Sequence, residues 1–167
     1  MAEDARWRAW AARIAVVVAG VVVAVALMEL WDFANTDDPE LIESSAISRT
    51  AGVACATMRG VVTSEALPTS APLAQRVGAV KAQNDAVVDM LTRLRSLGPT
   101  VLDEDQPAAQ WIEDWERLVA ARDAYARSLA TGKPKPLKLP VVDGRPLVER
   151  LNDVGVNCRV PVVLLAP

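Results

Sequence analysis

DQPAAQWIEDWERLVAARDAYARSLATG, residues 105–132, is the clearest amphipathic helix in the chain. Asp105 and Pro107 are typical of a helix start, and Gly132 is typical of the position just after a helix end. A helix with one apolar stripe needs other helices to cover that stripe, so this segment predicts a helical bundle. The stripe consists of Trp111, Ile112, Trp115, Leu118, Val119, Tyr125 and Leu129.

Two further helices are predicted before this segment. The first covers residues 39–65, with Asp38 as its N-cap and Pro39 in its first turn. The second covers residues 70–97, where apolar residues recur every three or four positions until Gly98-Pro99. Short connections between long helices make neighbours antiparallel, which again predicts a compact bundle.

The C-terminal third is predicted to be less regular. KPKPLKLP, residues 133–140, has three prolines and three lysines in eight positions, which favours an extended strap of polyproline character. A short helix is predicted over residues 145–154, followed by an irregular apolar tail over residues 159–167. No sheet is expected apart from a short edge from the tail, so the fold class is all-α.

The N-terminal part carries an apolar run. IAVVVAGVVVAVALM, residues 14–28, has no charge, and its extension to Trp31 gives eighteen residues, or about 27 Å of helix. Arginines precede the run and carboxylates follow it, which predicts a cytoplasmic N-terminus. The predicted organisation is a cytoplasmic N-terminus at 1–13, a transmembrane anchor at 14–31, an acidic connector at 32–43 and an extracytoplasmic helical domain at 44–167.

A cleavable signal peptide is the competing interpretation of the same run. Ala24-Val25-Ala26 forms an A-x-A triplet after an apolar core of ten residues, so cleavage would leave Leu27 as the first residue. The apolar run continues through Met28, and Trp31 stands where an interfacial anchor belongs, which favours an uncleaved anchor. Both interpretations export residues 35–167.

The two cysteines, Cys55 and Cys158, both lie in the predicted exported part. Thiols are oxidised in such compartments, and two cysteines allow one intramolecular pairing. We therefore predict a structural disulfide that fastens the first exported helix to the end of the chain. No C-x-x-C arrangement suggests a redox role.

Composition excludes several classes of chemistry. The chain has no histidine, which excludes histidine-dependent triads and histidine-ligated zinc or haem. Its eight glycines form neither a GxGxxG nor a Walker A pattern. A net charge of −3 offers no general surface for polyanions, and no nucleic-acid partner is expected. No catalytic, cofactor-binding or metal-binding residue is predicted, and no cofactor is expected.

Trp111, Trp115, Arg122 and Tyr125 share one side of the predicted helix 105–132 and form a candidate ligand or partner face. For the two tryptophans we expect a place in the core, and a ligand-binding aromatic cleft is the alternative. For Arg122, we expect a packed stem and a head paired with a carboxylate at the rim, with anion recognition as the alternative.

Other polar residues are expected to be structural. Glu113, Asp114 and Glu116 are too close in sequence to converge, because neighbouring positions splay around a helix. Asn84 falls on an apolar stripe and is expected to be a buried polar spacer.

The chain as a whole resembles a group of uncharacterised actinobacterial exported proteins that are helical and anchored by a single span. Fourteen arginines against four lysines also fit a high-GC genome. The resemblance implies the topology described above and brings no activity with it. It rests on an Ala/Val/Arg-rich span and on Trp111, Asp114, Trp115, Leu118, Arg122, Tyr125, Leu129, Gly132 and Cys158.

Together these observations predict a non-enzymatic, single-pass membrane protein of the cell envelope that serves as an accessory or interaction module. Its expected partners are the lipid bilayer and an envelope protein. A binding protein for a small apolar or lipid-like ligand held near Trp111, Trp115 and Tyr125 is the first alternative. An enzyme that uses only carboxylates and arginine is the second.

Overall fold

The computed structural model describes Trp10, residues 16–28 and residues 41–166. The chain divides into two compact units, Met1–Asp38 and Pro39–Pro167. The described residues are mostly helical, and Cys55 and Cys158 form a disulfide, as predicted.

Residues 16–28 of the first unit are helical and are called α1. Its large apolar side chains are exposed on every side, from Val16 at 73% to Val25 at 51%. The predicted anchor at 14–31 and the regions predicted at 1–13 and 32–43 extend outside the described residues. Within the part of the chain that is described, no helix is both long and apolar enough to cross a membrane.

The helix α2 spans Ser45–Ser64, so the predicted start at Asp38-Pro39 is wrong. Residues 41–44 are not helical. The reason is a carboxylate far away in sequence: Asp105 Oδ2 accepts hydrogen bonds from the backbone N–H groups of Glu43 and Ser44, at 3.1 and 2.9 Å. Ser44 then caps the helix through its side chain.

The helix α3 spans Leu73–Arg95, and the helix α4 spans Pro99–Asp103. The residue before α3 is Pro72, which offers no side-chain cap, so Ser70 does not open the helix. The short α4 was not predicted. Gly98 has a φ of 95° and turns the chain, and Pro99 then begins a new helix instead of only ending the old one.

The helix α5 spans Gln106–Ala130 and confirms the predicted helix and its boundaries. Asp105 caps it, because Asp105 Oδ1 accepts from the N–H of Ala108 at 3.3 Å. Gly132 follows the end with a φ of 69°, and its N–H donates to the Leu129 carbonyl at 3.0 Å.

Residues 133–140 have no regular structure, as the strap prediction requires. They lead into an unpredicted hairpin formed by β1, Val141–Val142, and β2, Arg145–Pro146. Its two turn residues, Asp143 and Gly144, both have positive φ, as in a type I′ turn. The hairpin takes the first two residues of the predicted helix 145–154.

Two short helices complete the chain. The helix α6 spans Leu147–Asn152, shorter than predicted, and α7 spans Val162–Leu165 in the tail that was expected to be irregular. Pro161 immediately precedes α7, where the fixed φ of proline favours a helix start.

The helix α3 lies at the centre of the bundle, with α2 on one side and α5 on the other. Both neighbours run antiparallel to α3, because contacts pair Cys55 with Met90 and Gln83 with Val62 on one side, and Asn84 with Asp123 and Arg95 with Glu116 on the other. The helix α6 packs on α5, and α7 packs on α2. The C-terminal segment therefore completes the core between the outer helices.

Candidate functional site

The candidate face on α5 is part of the interior. Trp111, Trp115 and Arg122 are 0–1% exposed, and Tyr125 is 9% exposed. The two indole rings meet edge to face, with centroids 6.2 Å apart and planes at 83°. Trp111 Nε1 donates to the Leu151 carbonyl of α6 at 3.1 Å. The tryptophans thus have the core role that was expected for them.

The indole N–H of Trp115 is buried and lacks the hydrogen bond that other buried polar side-chain atoms in the described part of the chain have. Among the described residues, Trp115 Nε1 is the one buried side-chain nitrogen or oxygen that has no hydrogen-bond partner. An unsatisfied buried donor of this kind costs about 1–3 kcal/mol of stability. The close packing of the ring against Trp111 offsets part of that loss.

Arg122 is fully buried, and its guanidinium binds neutral oxygens. Its Nε donates to Asn84 Oδ1 at 2.7 Å, its Nη2 donates to Gln83 Oε1 and its Nη1 donates to the Leu164 carbonyl. The expected pairing with a rim carboxylate is therefore wrong. The nearest acidic partner in this group, Asp123, is reached through Asn84, whose Nδ2 donates to Asp123 Oδ1 at 2.7 Å.

Burial lowers the pKa of Arg122 from its ordinary value to about 10, and the negative charge of Asp123 opposes that shift. The guanidinium of Arg122 therefore remains a cation at neutral pH.

We call Gln83, Asn84, Arg122 and Asp123 the buried polar cluster. Through Arg122 it joins α3 and α5 to the tail helix α7, since Leu164 belongs to α7.

Gln83 extends this cluster to α2. Its Nε2 lies 3.4 Å from the Val62 carbonyl and 3.3 Å from the Glu65 carbonyl, both at the C-terminal end of α2, where carbonyls lack intrahelical partners. Sequence reasoning missed Gln83. The available signal was a polar residue between Val80 and Val87 at helical spacing, the same signal that identified Asn84 as a buried polar residue.

The acidic residues of α5 are used in ion pairs, and two of them share Arg117. Asp114 is buried, and its carboxylate binds Arg117 at 2.5 Å and Arg150 of α6 at 2.8 Å. The hydrogen bond to Asp114 is the main reason that the pKa of Arg117 is raised. Glu113 pairs with Arg117, and Glu116 pairs with Arg95 of α3. Glu113 and Asp114 thus meet at one arginine, whereas Glu116 faces α3.

The disulfide lies inside the domain, with Cys55 and Cys158 0–1% exposed and their Cα atoms 5.5 Å apart. The sulfur of Met90 lies 3.3 Å from Cys55 Sγ and 3.8 Å from Cys158 Sγ. Thiol–disulfide exchange requires a nucleophile to reach a sulfur, so the fold protects this bond from reductants.

Two adjoining surface grooves follow the outer side of α2 and α3. One has a volume of about 450 Å³ and the other about 240 Å³, and both include Ala54 and Arg93 in their linings. Val53, at 68% exposure, lies in the larger groove. Neither groove includes a residue of the candidate face on α5.

Three or more acidic or cysteine side chains do not converge as a metal site anywhere in the described ranges. The chain matches no protein-family model, no curated protein and no solved structure.

Proposed function

We propose that this protein is a non-enzymatic, single-pass membrane protein of the cell envelope. Residues 14–31 form the anchor, the N-terminus is cytoplasmic, and residues 44–167 form an accessory or protein-interaction domain outside the cytoplasmic membrane. The observation that carries the proposal is the exposure of apolar side chains all around α1.

A helix in water normally exposes a polar face and buries an apolar one. The described part of α1 has no polar side chain, and all of its nine Val, Leu and Met side chains are more than half exposed. Apolar surface of that extent requires an apolar environment or a partner. Arg6, Arg8 and Arg13 before the run supply the charge asymmetry for an inward N-terminus.

The disulfide supports export of the second unit. Structural disulfides form and persist in oxidising compartments and are rare in the cytoplasm. The Cys55–Cys158 bridge is buried and closes 103 residues of chain, as a structural bond does. The same chain thus combines an apolar N-terminal run with an oxidised domain, which fits an inward N-terminus and an exported C-terminus.

The ligand-binding alternative has less support. It required Trp111, Trp115 and Tyr125 to line an accessible cleft, and these side chains are buried against the core. The described conformation gives a small apolar molecule no entry at that place. We therefore propose the interaction domain alone.

Two reporter fusions test the topology. A reporter that works only outside the cytoplasmic membrane, placed after Pro167, is expected to be active, and the same reporter placed before Met1 is expected to be silent. The matched control changes Arg6, Arg8 and Arg13 to glutamate, which should reduce the activity of the first fusion. A C-terminal fusion that is active in the cytoplasm would contradict the proposal.

An anchor exchange tests the interaction domain. The full chain is purified from membranes in mild detergent beside a chimera that carries an unrelated single span in place of residues 14–31. If the domain recognises the partner, the same protein copurifies with both chains in equal ratio. A partner that is lost from the chimera, or the absence of any stoichiometric partner, would contradict this role.

A further inference from the structure

The lysines of this chain are concentrated in one place. The sequence has fourteen arginines but only four lysines, and three of the lysines, Lys133, Lys135 and Lys138, lie in the strap. The fourth, Lys81, lies on α3.

The fold brings Lys81 and Arg127 to the strap. Leu137 packs against an apolar cluster that includes Val80 of α3 and Leu129 of α5. The backbone N–H of Lys135 donates to Ser128 Oγ of α5 at 3.1 Å. Lys81 follows Val80 in sequence and Arg127 precedes Ser128, so the backbones of both residues adjoin positions that contact the strap. The basic strap surface is defined as Lys81, Arg127, Lys133, Lys135 and Lys138.

These five cations are exposed and unpaired. Over residues 41–166, none of their side chains forms an ion pair or a side-chain hydrogen bond. The sequence has no carboxylate between Asp123 and Asp143, and Asp123 is engaged by Asn84. By contrast, four arginines elsewhere on the domain, Arg95, Arg117, Arg145 and Arg150, bind carboxylates.

The net charge of the whole chain conceals this surface. Residues 1–40 carry three basic and seven acidic side chains, whereas residues 41–166 carry fifteen and fourteen. Five unpaired cations on one surface create a local positive potential that attracts anions, whatever the sign of the total charge.

We propose that the basic strap surface binds a linear polyanion that carries phosphate groups. In a polyproline conformation, which has three residues per turn, positions 135 and 138 share one side of the strap about 9 Å apart, and position 133 precedes 135 by about 6 Å along it. Ammonium groups act as point charges and bind phosphate without a fixed geometry, unlike the planar guanidinium. A row of such charges on an extended support suits a polymer whose anionic groups also form a row.

The side chains around the lysines argue against other partners. Protein interfaces are rich in Tyr, Trp and Arg and poor in Lys, and this surface has no aromatic residue. Stable attachment of a basic segment to a bilayer needs a second, apolar signal. Leu137 and Leu139 cannot supply it, because both are partly buried and pack on the domain.

The test measures binding of the full-length chain, in nonionic detergent, to fluorescent inorganic polyphosphate at two salt concentrations. With about five charge contacts, counterion release for a single strand predicts a roughly hundredfold loss of affinity between 50 and 200 mM salt. The variant K133Q/K135Q/K138Q should bind more weakly and lose less than about tenfold over the same range. These side chains make no bonds, so the fold should be unchanged, which circular dichroism checks.

The matched control removes three other exposed charges, in R49Q/R93Q/R159Q, and should keep the salt dependence of the unchanged chain. Arg6, Arg8 and Arg13 are present in every variant and cannot account for a difference. Absence of polyphosphate binding, or an equal loss in the control variant, would overturn the proposal.

A second experiment distinguishes a soluble phosphate polymer from the surface of an anionic membrane. The chain is held in neutral-lipid nanodiscs and mixed with separate vesicles that contain phosphatidylglycerol. Binding to these vesicles that needs Lys133, Lys135 and Lys138, combined with no binding to polyphosphate, would overturn the polymer in favour of an anionic bilayer.

Discussion

The helices α1 and α3 are both rich in apolar residues, but their side chains have opposite surroundings. In α3 nine side chains are buried between α2 and α5, and two of the nine, Gln83 and Asn84, are polar and hydrogen-bonded. In α1 the nine large apolar side chains are exposed. The helix α3 is covered by α2 and α5, whereas the large apolar side chains of α1 are exposed. This contrast underlies the proposal that α1 belongs to a membrane and α3 to a water-soluble domain.

The largest expected effect comes from placing the same charge in each helix. Leu91→Asp buries a carboxylate at a position that is 2% exposed, and should destabilise the domain by more than about 4 kcal/mol. Val21→Asp should leave the urea unfolding of the domain within about 0.5 kcal/mol of the unchanged chain.

Membrane extraction of the same two variants also distinguishes α1 from α3. An Asp at the centre of a span costs about 3 kcal/mol of insertion, so Val21→Asp should lower the fraction of protein that resists alkaline extraction. Unfolding of the domain by Val21→Asp, with unchanged extraction, would reverse the assignment of the two helices.

The next effect concerns the buried polar cluster. Arg122→Met should destabilise the domain by several kcal/mol, because it leaves the neutral oxygens of Gln83, Asn84 and Leu164 without their donor, at about 1–3 kcal/mol for each unsatisfied group. The triple variant Q83M/N84L/R122M removes the two side-chain acceptors as well and should recover part of that loss. Urea unfolding followed by near-ultraviolet circular dichroism measures both. Equal losses in the single and triple variants would mean that the hydrogen bonds do not account for the effect.

The disulfide is expected to contribute somewhat less. Cys55→Ser or Cys158→Ser should lower stability by about 2–4 kcal/mol, because the open chain gains entropy, and should lower the melting temperature by several degrees or more. Helicity should remain, since α2, α3 and α5 keep their apolar contacts and caps. The double variant is the control and should resemble either single variant. Loss of the helical signal at room temperature would show that the bridge is required for assembly.

The smallest effect is a dependence on pH. The pKa of Arg122 is about 10 in the folded state and higher, at its ordinary value, in the unfolded state, so between the two values the unfolded chain binds more protons. Stability then rises with pH for this group. The stability difference between the unchanged chain and Arg122→Met should be constant from pH 6 to 9 and should increase by on the order of 1 kcal/mol at pH 11. A difference that shrinks above pH 10 would contradict the burial of a cation at this position.

The sequence predicts the parts of the fold that are determined locally. The boundaries of α5 follow from Asp105, Pro107 and Gly132, which are its own neighbours in sequence. The start of α2 could not be predicted in the same way. It depends on hydrogen bonds from the backbone N–H groups of Glu43 and Ser44 to Asp105, which lies 62 and 61 residues further along the chain. The hairpin was missed although Asp143-Gly144 is a turn signal, since its strands have only two residues each.

The candidate site shows the same limit. Helical spacing correctly placed Trp111, Trp115, Arg122 and Tyr125 on one side of α5. Whether that side faces water or the interior depends on what covers it, and Arg122 is covered by Gln83, Asn84 and Leu164 from two other helices. A charged residue on an apolar stripe could indicate either a site or a buried cluster, and only the tertiary partners decide between them.

The intact mass of the protein purified from the membranes of its host, measured without reductant, tests the account most directly. An uncleaved anchor and an exported, oxidised domain predict a chain that retains residues 14–31 and is two hydrogens lighter than its fully reduced form. A chain that begins at Leu27 would contradict the anchor. Two free thiols at Cys55 and Cys158 would contradict export to an oxidising compartment.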